Sequence, residues 1–378
     1  MKRFLINAAL TLSSKCTTSV FKSPSSRSQV VIPYSYSRFL SQAGYSSEAR
    51  TPKRRLFGLV FLMALVQLPT LAMAAELGEV QQILKKMQHA AHMQNYDGTF
   101  VYSQGENRLS AMRIIHSADE KGERERLVSL DSIGREVIRE PNSVTCILPD
   151  RNAVVIEKDR PPSQFPPSFP DKLDHLKDQY SFEMQGIEKV AGQMAHKLVI
   201  TPNDKFRYGH SLWVDQKTGL LLKTHLINER GQLVEQFMFT HIKYMDRVPE
   251  KLLMTSIDSS RFERFEADEI KSKLAEKKAP PVWQVTRLPP GFKPDYQRRM
   301  QIKSTRNTSN HLVYSDGLAS ISVFIETNRD DNNLEGETNM GAVNVHGKTF
   351  KDFHVTAVGE VPHATVKMIS ESVVLKSE

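Results

Sequence analysis

Residues 210–244 decide the fold, and they read HSLWVDQKTGLLLKTHLINERGQLVEQFMFTHIKY. The stretch holds three runs rich in apolar and β-branched residues, separated by turn-forming segments at 215–219 and 228–231. Runs of this kind, joined by short loops that contain glycine, predict consecutive antiparallel strands connected as hairpins. We therefore expect this part of the chain to be an antiparallel sheet.

The same alternation of strand-like runs and turns extends upstream through residues 99–200. Before it lies a segment with helical spacing, in which Val80, Ile83, Leu84, Met87 and Ala90 recur at intervals that place them on one helix face. One helix with about ten strands predicts a large curved sheet wrapped on a helix. Such a sheet either closes as a barrel or leaves a groove.

A proline-rich segment at 161–170 interrupts this pattern with five prolines around Phe165 and Phe169. Proline cannot donate a hydrogen bond to a sheet, so the segment is expected to run extended. Its two aromatic rings could cover the groove, meet a partner, or only pin the loop to the sheet.

A second domain is predicted after a charged segment. Residues 259–281 have few large apolar residues and end in Ala-Pro-Pro, which is typical of a linker. Residues 282–378 then hold several strand-like runs and a closing helix predicted at 364–375, which indicates a small α+β module. The predicted domains of the functional protein are therefore 75–258 and 282–378, joined by the linker at 259–281.

The first 74 residues are predicted to be targeting sequence. Residues 53–74 have a basic start, an apolar run and a small-residue Ala-Met-Ala site, the pattern of a signal peptide. A membrane anchor is the alternative, but it needs about 20 apolar residues, and Gln67, Pro69 and Thr70 interrupt the run. Residues 1–52 are Ser-rich and basic, which suggests either an organelle transit segment or a spurious extension.

Without the predicted targeting sequence at residues 1–74, the charge and cysteine content of the chain restrict the class of function. The net charge of +8 resides in the N-terminal segment, since residues 1–55 carry ten Lys or Arg and one acid. The remaining chain is close to neutral, which argues against a nucleic-acid-binding protein. Only one of the two cysteines, Cys146, lies in the remaining chain, so no disulfide can form within it. Its apolar neighbours predict a buried strand thiol.

No motif in the sequence indicates catalysis. Nucleophile-elbow, zinc-protease, thiol-redox and nucleotide-binding signatures are all absent. His89 and His92 share a predicted helix face, but no third metal ligand follows nearby. We therefore predict no catalytic residue, no metal and no cofactor, and favour a binding protein. An enzyme such as an envelope hydrolase stays open as an alternative, because catalytic groups can assemble from distant residues.

The curved sheet offers apolar and aromatic side chains for a concave binding surface, which suits small apolar ligands or lipids. The candidate lipid-binding residues are Phe100, Tyr102, Met112, Ile114, Trp213, Leu221, Phe237 and Phe239. The face that each one takes depends on the strand register.

Six pieces of sequence resemble one known family. They are NYDGTF at 95–100, REVIR at 135–139, LWVD at 212–215 with TGLL at 218–221, LPPGF at 288–292, VYSDGLASISVFIE at 313–326 and VGEVP at 358–362. In these pieces, and in its division into two domains, the chain from Ala75 onward resembles the MucB/RseB regulators of the envelope-stress sigma factor. Residues 1–52 match nothing in the family's pattern.

The resemblance implies a fold and a place in the cell. The fold is α+β: a large N-terminal domain similar to the lipoprotein carriers LolA and LolB, an unclosed antiparallel β-barrel packed on helices, and a smaller C-terminal MucB/RseB domain at 282–378. The implied location is the periplasm, reached by the signal peptide. Organelle targeting by residues 1–52 is the alternative.

The resemblance also implies a non-enzymatic function. Family members bind the periplasmic domain of a membrane-bound anti-sigma factor of the RseA/MucA type and protect it from site-one proteolysis. Lipopolysaccharide, or its lipid A part, is implied to enter the apolar region and release the complex. The candidate partner-binding residues are Gly317, Phe324, Gly359 and Glu360. A periplasmic lipid or lipoprotein carrier is the alternative function, and a homodimer is compatible with the sequence.

Overall fold

The structure is a computed structural model that describes residues 68–105, 108–130, 134–158, 173, 176–266, 283–302, 307–327 and 334–376. Three predictions fall on residues outside these ranges: the N-terminal extension, the proline-rich segment at 161–170 and the linker from residue 267 onward. The predicted signal peptide is described only from Leu68. No helix among the described residues has the length and apolar content needed to span a membrane.

The larger sheet has twelve strands among the described residues. They are β1 (Tyr96–Gln104), β2 (Arg108–Asp119), β3 (Gly122–Ser129), β4 (Glu136–Glu140), β5 (Ser143–Leu148), β6 (Ala153–Lys158), β7 (Tyr180–Val190), β8 (Gln193–Pro202), β9 (Gly209–Asp215), β10 (Leu221–Ile227), β11 (Leu233–Tyr244) and β12 (Glu263–Glu266). Their spatial order is β12-β6-β5-β4-β3-β2-β1-β11-β10-β9-β8-β7. Strands β12 and β7 lie at opposite ends of this order and do not pair, which confirms the predicted unclosed sheet.

The hairpins predicted at residues 210–244 are confirmed, since β9, β10 and β11 are antiparallel neighbours. In the turn after β9, the Asp215 carboxylate accepts hydrogen bonds from the backbone amides of Lys217 and Thr218, both at 2.8 Å. Gly219 then takes φ +82°, a left-handed conformation that glycine adopts without steric cost. Side-chain capping and glycine together fix the register of this hairpin.

Strand β12 lies inside the segment predicted as a linker. It runs parallel to β6 and pairs Phe265 with Val155. Phe265 packs against the apolar core, whereas Glu263 and Glu266 are exposed. Charged residues suit an edge strand because they discourage pairing with other chains. The charged composition of this segment therefore gave no sign of the short edge strand that it contains.

Helix α1 (Leu68–Met93) fills the inside of the larger sheet. The face predicted from the spacing is confirmed: Val80, Leu84, Met87 and Ala90 are each at most 1% exposed. The helix begins within the segment predicted as signal peptide and ends before Asn95. Cys146 is buried in the same core, as its neighbours predicted.

The contact between α1 and the β9–β10 turn leaves no room for a side chain at Gly219. An added Cβ would lie 2.6 Å from Lys86 Cγ and 2.9 Å from the Lys86 carbonyl oxygen. We expect Gly219→Ala to lower the free energy of unfolding by about 2 to 3 kcal/mol, through left-handed strain and overpacking. Urea denaturation measures the loss.

Gly231→Ala is the matched control, because Gly231 has φ +75° but nothing within 4 Å of an added Cβ. Gly231→Ala should lower the free energy of unfolding by the backbone strain alone, about 1 kcal/mol. Equal losses in the two variants would show that the approach of α1 does not constrain position 219.

After strand β13 (Trp283–Val285), a second sheet has six strands among the described residues: β14 (Lys293–Ile302), β15 (Asn307–Ser315), β16 (Ser320–Thr327), β17 (Gly336–Met340), β18 (Val343–Phe350) and β19 (Phe353–Gly359). Their spatial order is β14-β15-β16-β19-β18-β17. Helix α2 (Glu250–Leu253) precedes this domain, and helix α3 (His363–Glu371) packs on the second sheet. Its residues Val366 and Ile369 join the core with Val323 and Val355.

The closing helix is shorter than predicted. It ends at Glu371, and Val373–Leu375 forms strand β20, which pairs with strand β13 (Trp283–Val285). Two β-branched residues, Val373 and Val374, favour a strand. The apolar spacing alone suited a helix equally well, so the partner strand decides the conformation.

Candidate functional site

Six of the candidate lipid-binding residues share the inner face of the larger sheet. Phe100 pairs in register with both Phe239 and Met112, and Tyr102 pairs with Phe237. Ile114 lies two residues after Met112 and so takes the same face. The Phe100 and Phe237 ring centroids are 5.0 Å apart, which places the aromatic residues in direct contact. Leu221 pairs with Val214 beside a bulge and belongs to the same apolar core.

This inner face is fully covered by the protein itself. Phe100 and Ile114 are 0% exposed, and Tyr102 is 5% exposed. Val80, Leu84 and Met87 of α1 belong to the same cluster, together with Leu176 and Tyr180. A lipid can therefore reach the inner face only if α1 or another covering segment moves.

Trp213 lies on the opposite face of the sheet from Phe237, which corrects the prediction that grouped the two. Trp213 pairs with Lys197 and Lys223. Its neighbour Leu212 pairs with Thr224, and Thr224 pairs with Phe237. Because side chains alternate between the two faces of a strand, Leu212 and Phe237 point inward and Trp213 points outward.

Charged side chains cover the Trp213 ring on this outer face. Its indole N–H donates to Glu188 Oε2 at 2.7 Å, and the Lys223 ammonium lies 4.1 Å from the ring centroid. The His225 ring meets it edge-on at 4.8 Å. Burial, and then the charge of Lys223, lowers the pKa of His225. Trp213 is nonetheless buried and belongs to the same apolar cluster as Phe237, so its fluorescence reports on the outer charged groups as well as on the core.

Three of the four candidate partner-binding residues, Gly317, Gly359 and Glu360, lie at the end of the second sheet where β16 begins, and Phe324 lies further along β16. Gly317 lies in the turn between β15 and β16 with φ +104°. Gly359 ends β19, where an added Cβ would lie 3.0 Å from Ile321 Cγ1, so its role is close packing. Glu360 follows Gly359 directly and is half-buried. Phe324 points away from the core and stacks on His311, with centroids 4.3 Å apart.

A buried ion pair connects the two domains. The Arg207 side chain is 0% exposed, and its Nε donates to Asp316 Oδ2 at 2.5 Å. The Tyr180 hydroxyl donates to the same oxygen at 2.9 Å. The other guanidinium nitrogens donate to Asp204 and to the Pro290 carbonyl oxygen. These five residues, called the junction cluster below, join the larger sheet to the C-terminal domain.

The electrostatics of the junction cluster favour its charged form. Burial opposes a charge on Arg207, but the hydrogen bond and the charge of Asp316 outweigh it and raise the pKa of the guanidinium. Burial, followed by the charge of Asp316, raises the pKa of Tyr180. The phenol therefore stays protonated and keeps donating. The Phe292 ring, whose centroid is 5.1 Å from the guanidinium carbon, covers the cation.

The tip of the β17–β18 hairpin makes the second contact between the domains. The Ala342 amide donates to Glu235 Oε1 at 3.1 Å, and Asn344 Nδ2 donates to the Tyr208 hydroxyl at 2.8 Å. Ala342 is fully buried against Tyr208 and Leu226. Thr365 Oγ1 of α3 also donates to the Phe206 carbonyl oxygen at 2.8 Å, so the domains are joined at several points.

Sequence reasoning missed the junction cluster. Asp316 lies inside one of the family motifs, but Arg207 is a single arginine in a polar loop and carries no signal of burial. The two residues are 109 positions apart, so no local spacing relates them. Only the packing of the two domains brings them together.

Comparison with known proteins identifies the family along most of the chain. The model described as MucB/RseB N-terminal domain matches residues 79–262, and the model described as MucB/RseB C-terminal domain matches residues 277–374. The Sigma factor AlgU regulatory protein MucB of Pseudomonas aeruginosa is 31% identical over 325 residues, which cover 83% of this chain and 96% of that protein. The Sigma-E factor regulatory protein RseB of Haemophilus influenzae is 26% identical over 306 residues, covering 81% of this chain and 94% of that protein.

Solved structures agree with these matches. The complex structure of Pseudomonas aeruginosa MucA/MucB contains a chain with a TM-score of 0.60 and 27% identity, covering 79% of this chain and 100% of that chain. A crystal structure of MucB in complex with MucA(peri) gives a TM-score of 0.58 at 27% identity, covering 79% and 99% of the two chains. The fold and both domain matches agree, and the chain belongs to the MucB/RseB family.

Proposed function

We propose that this chain is a non-enzymatic negative regulator of an envelope-stress sigma factor. It binds the periplasmic domain of a membrane-bound anti-sigma factor of the RseA/MucA type and protects that domain from site-one proteolysis. The observation that carries the proposal is the similarity to MucB in a MucA/MucB complex, which extends over 79% of this chain. The relatives named as sigma factor regulatory proteins support it. The protein acts in the periplasm, exported by the signal peptide at residues 53–74.

Lipopolysaccharide or lipid A is the proposed releasing signal, and its acyl chains enter the inner face of the larger sheet. The apolar lining of Phe100, Met112, Phe237 and Phe239 suits acyl chains. Because α1 fills that face, the lipid binds only a form in which α1 has moved. A ligand that binds one form shifts the equilibrium by its differential affinity for the two forms. Partner release then follows if the anti-sigma factor binds the closed form more tightly.

A binding and protection assay tests the regulator. The purified chain is mixed with the periplasmic domain of a MucA-type anti-sigma factor and a site-one protease. We expect a stoichiometric complex that slows cleavage, and restored cleavage when lipid A is added. Deacylated lipopolysaccharide is the control and should leave the complex intact. Absence of a complex would refute the regulator, whereas a protective complex that lipid A leaves intact would refute only the lipid signal.

One side chain allows a specific prediction about α1. Lys86 Nζ donates to the Gln216 carbonyl oxygen at 2.7 Å and so ties α1 to the β9–β10 turn. A hydrogen bond of this kind contributes about 0.5 to 1 kcal/mol. We therefore expect Lys86→Ala to lower the lipid A concentration that gives half-maximal release about twofold to fivefold. Lys85→Ala, at the exposed neighbouring position, is the control and should leave release unchanged. Equal lipid A release curves for Lys86→Ala and Lys85→Ala would argue against movement of α1.

A periplasmic lipid or lipoprotein carrier is the second candidate, and the apolar inner face favours it. A carrier must deliver its lipid to an acceptor membrane, whereas a sensor needs only to bind it. Transfer of fluorescent lipid from donor to acceptor vesicles separates the two functions. Self-association into a homodimer is a further proposal, which sedimentation of the purified chain would test.

A further inference from the structure

Four side chains of residue types that can bind metals lie near one another where α1 ends. His92 lies in the last turn of α1, His116 on β2, and Glu123 and Glu125 on β3. His92 Nδ1 lies 3.1 Å from Glu123 Oε2, and His116 Nε2 lies 3.2 Å from Glu123 Oε1 and 3.9 Å from Glu125 Oε1. The ligand atoms of His116, Glu123 and Glu125 all fall within 4.8 Å of one another. Local spacing around His92 offered no third ligand, but the sheet supplies three.

The 3.2 Å separation of His116 Nε2 and Glu123 Oε1 matches the spacing of ligands around a small cation. Bonds of 2.0 to 2.1 Å in a tetrahedral zinc site place the ligand atoms roughly 3.3 Å apart. The His–Glu distances of 3.1 and 3.2 Å are longer than the roughly 2.7 to 2.9 Å that is usual for charge-assisted hydrogen bonds and are compatible with coordination.

The ring of His116 is held in the tautomer that a metal needs. Its Nδ1 lies 2.6 Å from the Gln94 carbonyl oxygen, to which it can only donate. The ring is 0% exposed and stacks on Tyr96, with centroids 5.3 Å apart. Nε2 therefore faces two carboxylates, an arrangement that needs either a second proton or a metal ion between them. A backbone carbonyl that orients the distal nitrogen is a usual feature of metal-bound histidine.

A buried hydroxyl beside the cluster gives a second, independent observation. Tyr96 is 0% exposed, and its Oη has no hydrogen-bond partner among the described residues. Tyr96 pairs with His116 across β1 and β2, and the stacked rings place the phenol beside the cluster. A buried hydroxyl without a partner is costly. Water bound to a cation in the cluster would supply the missing partner.

We propose that His116, Glu123 and Glu125 bind one divalent transition-metal ion, with zinc the best fit, and that His92 orients Glu123 through its second oxygen. A site of one imidazole and two carboxylates suits zinc, whereas calcium and magnesium prefer oxygen ligands alone. Arg139 approaches the other oxygen of Glu125, Oε2, at 3.5 Å and leaves Oε1 free for the ion. The ion enters from solvent, because the side chains of His92 and Glu123 are 42% and 35% exposed.

The proposed ion would fasten α1 to the larger sheet. Its ligands come from two neighbouring strands, and His92 at the end of α1 contacts the ligand Glu123, so binding strengthens the link between the helix and the face that it covers. The site involves none of the residues proposed for lipid or partner binding, and the inference stands independently of the proposed function.

Calorimetry of the chelator-treated full chain with zinc chloride tests the site, with cobalt(II) absorption as a second readout. We expect one ion per chain, and about tenfold or greater weakening in both His92→Gln and Glu123→Gln. These two side chains are partly exposed, so both variants should fold, which circular dichroism verifies. His89→Gln, at an exposed position on the same helix, should bind like the unmodified chain.

Three results would overturn the proposal. They are no saturable binding at millimolar zinc, binding that neither His92→Gln nor Glu123→Gln weakens, and equal weakening in His89→Gln. The first would leave a second proton on His116 as the balancing charge. The other two would place any bound zinc elsewhere on the chain.

Discussion

Replacing Asp316 with alanine is expected to lower the free energy of unfolding by about 3 to 5 kcal/mol. The substitution leaves the Arg207 guanidinium buried without its main counter-charge and removes the acceptor of the Tyr180 hydroxyl. Removal of one member of a buried ion pair costs this much because the remaining charge can neither reach water nor find another partner. Asp204 and the Pro290 carbonyl oxygen keep only part of the interaction.

Two further variants separate the causes of this loss. Asp316→Asn can keep the hydrogen bonds that Oδ1 accepts from the Leu318 and Ala319 amides at 2.9 and 2.7 Å, whereas it removes the charge and the Oδ2 acceptor of Arg207 and Tyr180. Asp352→Ala, at an exposed position in the same domain, is the control and should change stability by less than about 0.5 kcal/mol.

Chemical denaturation measures the effect in each domain separately. The chain has two tryptophans, Trp213 in the larger sheet and Trp283 in the C-terminal domain, so single-tryptophan variants report on one domain at a time. In Asp316→Ala the two transitions should separate, because the domains lose their buried link. A loss below about 1 kcal/mol with coincident transitions would mean that the junction cluster does not couple the domains.

Replacing Glu136 with alanine is expected to lower the free energy of unfolding by about 3 to 5 kcal/mol. Glu136 is 1% exposed and accepts two hydrogen bonds from Arg126, at 2.7 and 3.1 Å. Arg126 also donates to the Ser256 hydroxyl and so connects the sheet to the segment after α2. Without the carboxylate, a nearly buried guanidinium keeps only neutral acceptors. Glu140→Ala, at the exposed end of the same strand, is the control.

The Glu136 effect should depend on pH. Burial raises the pKa of Glu136, but the hydrogen bonds and charge of Arg126, with help from Thr255 and Ser256, outweigh burial and lower it below its usual value. A carboxyl with a lowered folded-state pKa stabilises the fold fully above its unfolded pKa, about 4.3, and loses the contribution as the pH falls through the folded value. Unfolding curves from pH 7 to pH 3 should therefore bring the unmodified chain and Glu136→Ala closer together. A difference that stays constant over this range would contradict the ion-pair explanation.

The sequence predicted the parts of the fold that local pattern controls. Spacing in the helix identified Val80, Leu84 and Met87, and the glycine-containing turns located β9, β10 and β11. Sequence alone could not assign Trp213 to a face, because a shift of one residue in register reverses every side chain of a strand. The prediction of a closing helix through residue 375 was wrong for a related reason. Val373–Leu375 becomes a strand only through its pairing with Trp283–Val285.

Sites made by long-range packing gave no local signal. Arg207 meets Asp316, and His92 meets Glu123, only after the strands and domains assemble. An isolated arginine or a pair of histidines on a helix is compatible with many structural roles, and sequence spacing does not distinguish among these roles. The apolar lining of the inner face was predictable, but its filling by α1 was not, because hydrophobic residues indicate burial without identifying the partner.

The order of the strands has a consequence for folding. Strands β1 to β6 pair with their neighbours in sequence, as do β7 to β11, and the two halves join only through β1 and β11, where Tyr96 meets Tyr244. Closing so long a loop is entropically costly and slow. During synthesis, β1 therefore stays an open edge until residues 233–244 leave the ribosome, and α1 has only half of the sheet to pack against. We expect this single late pairing to limit the rate of folding, and the half-formed sheet to be the state most prone to aggregation.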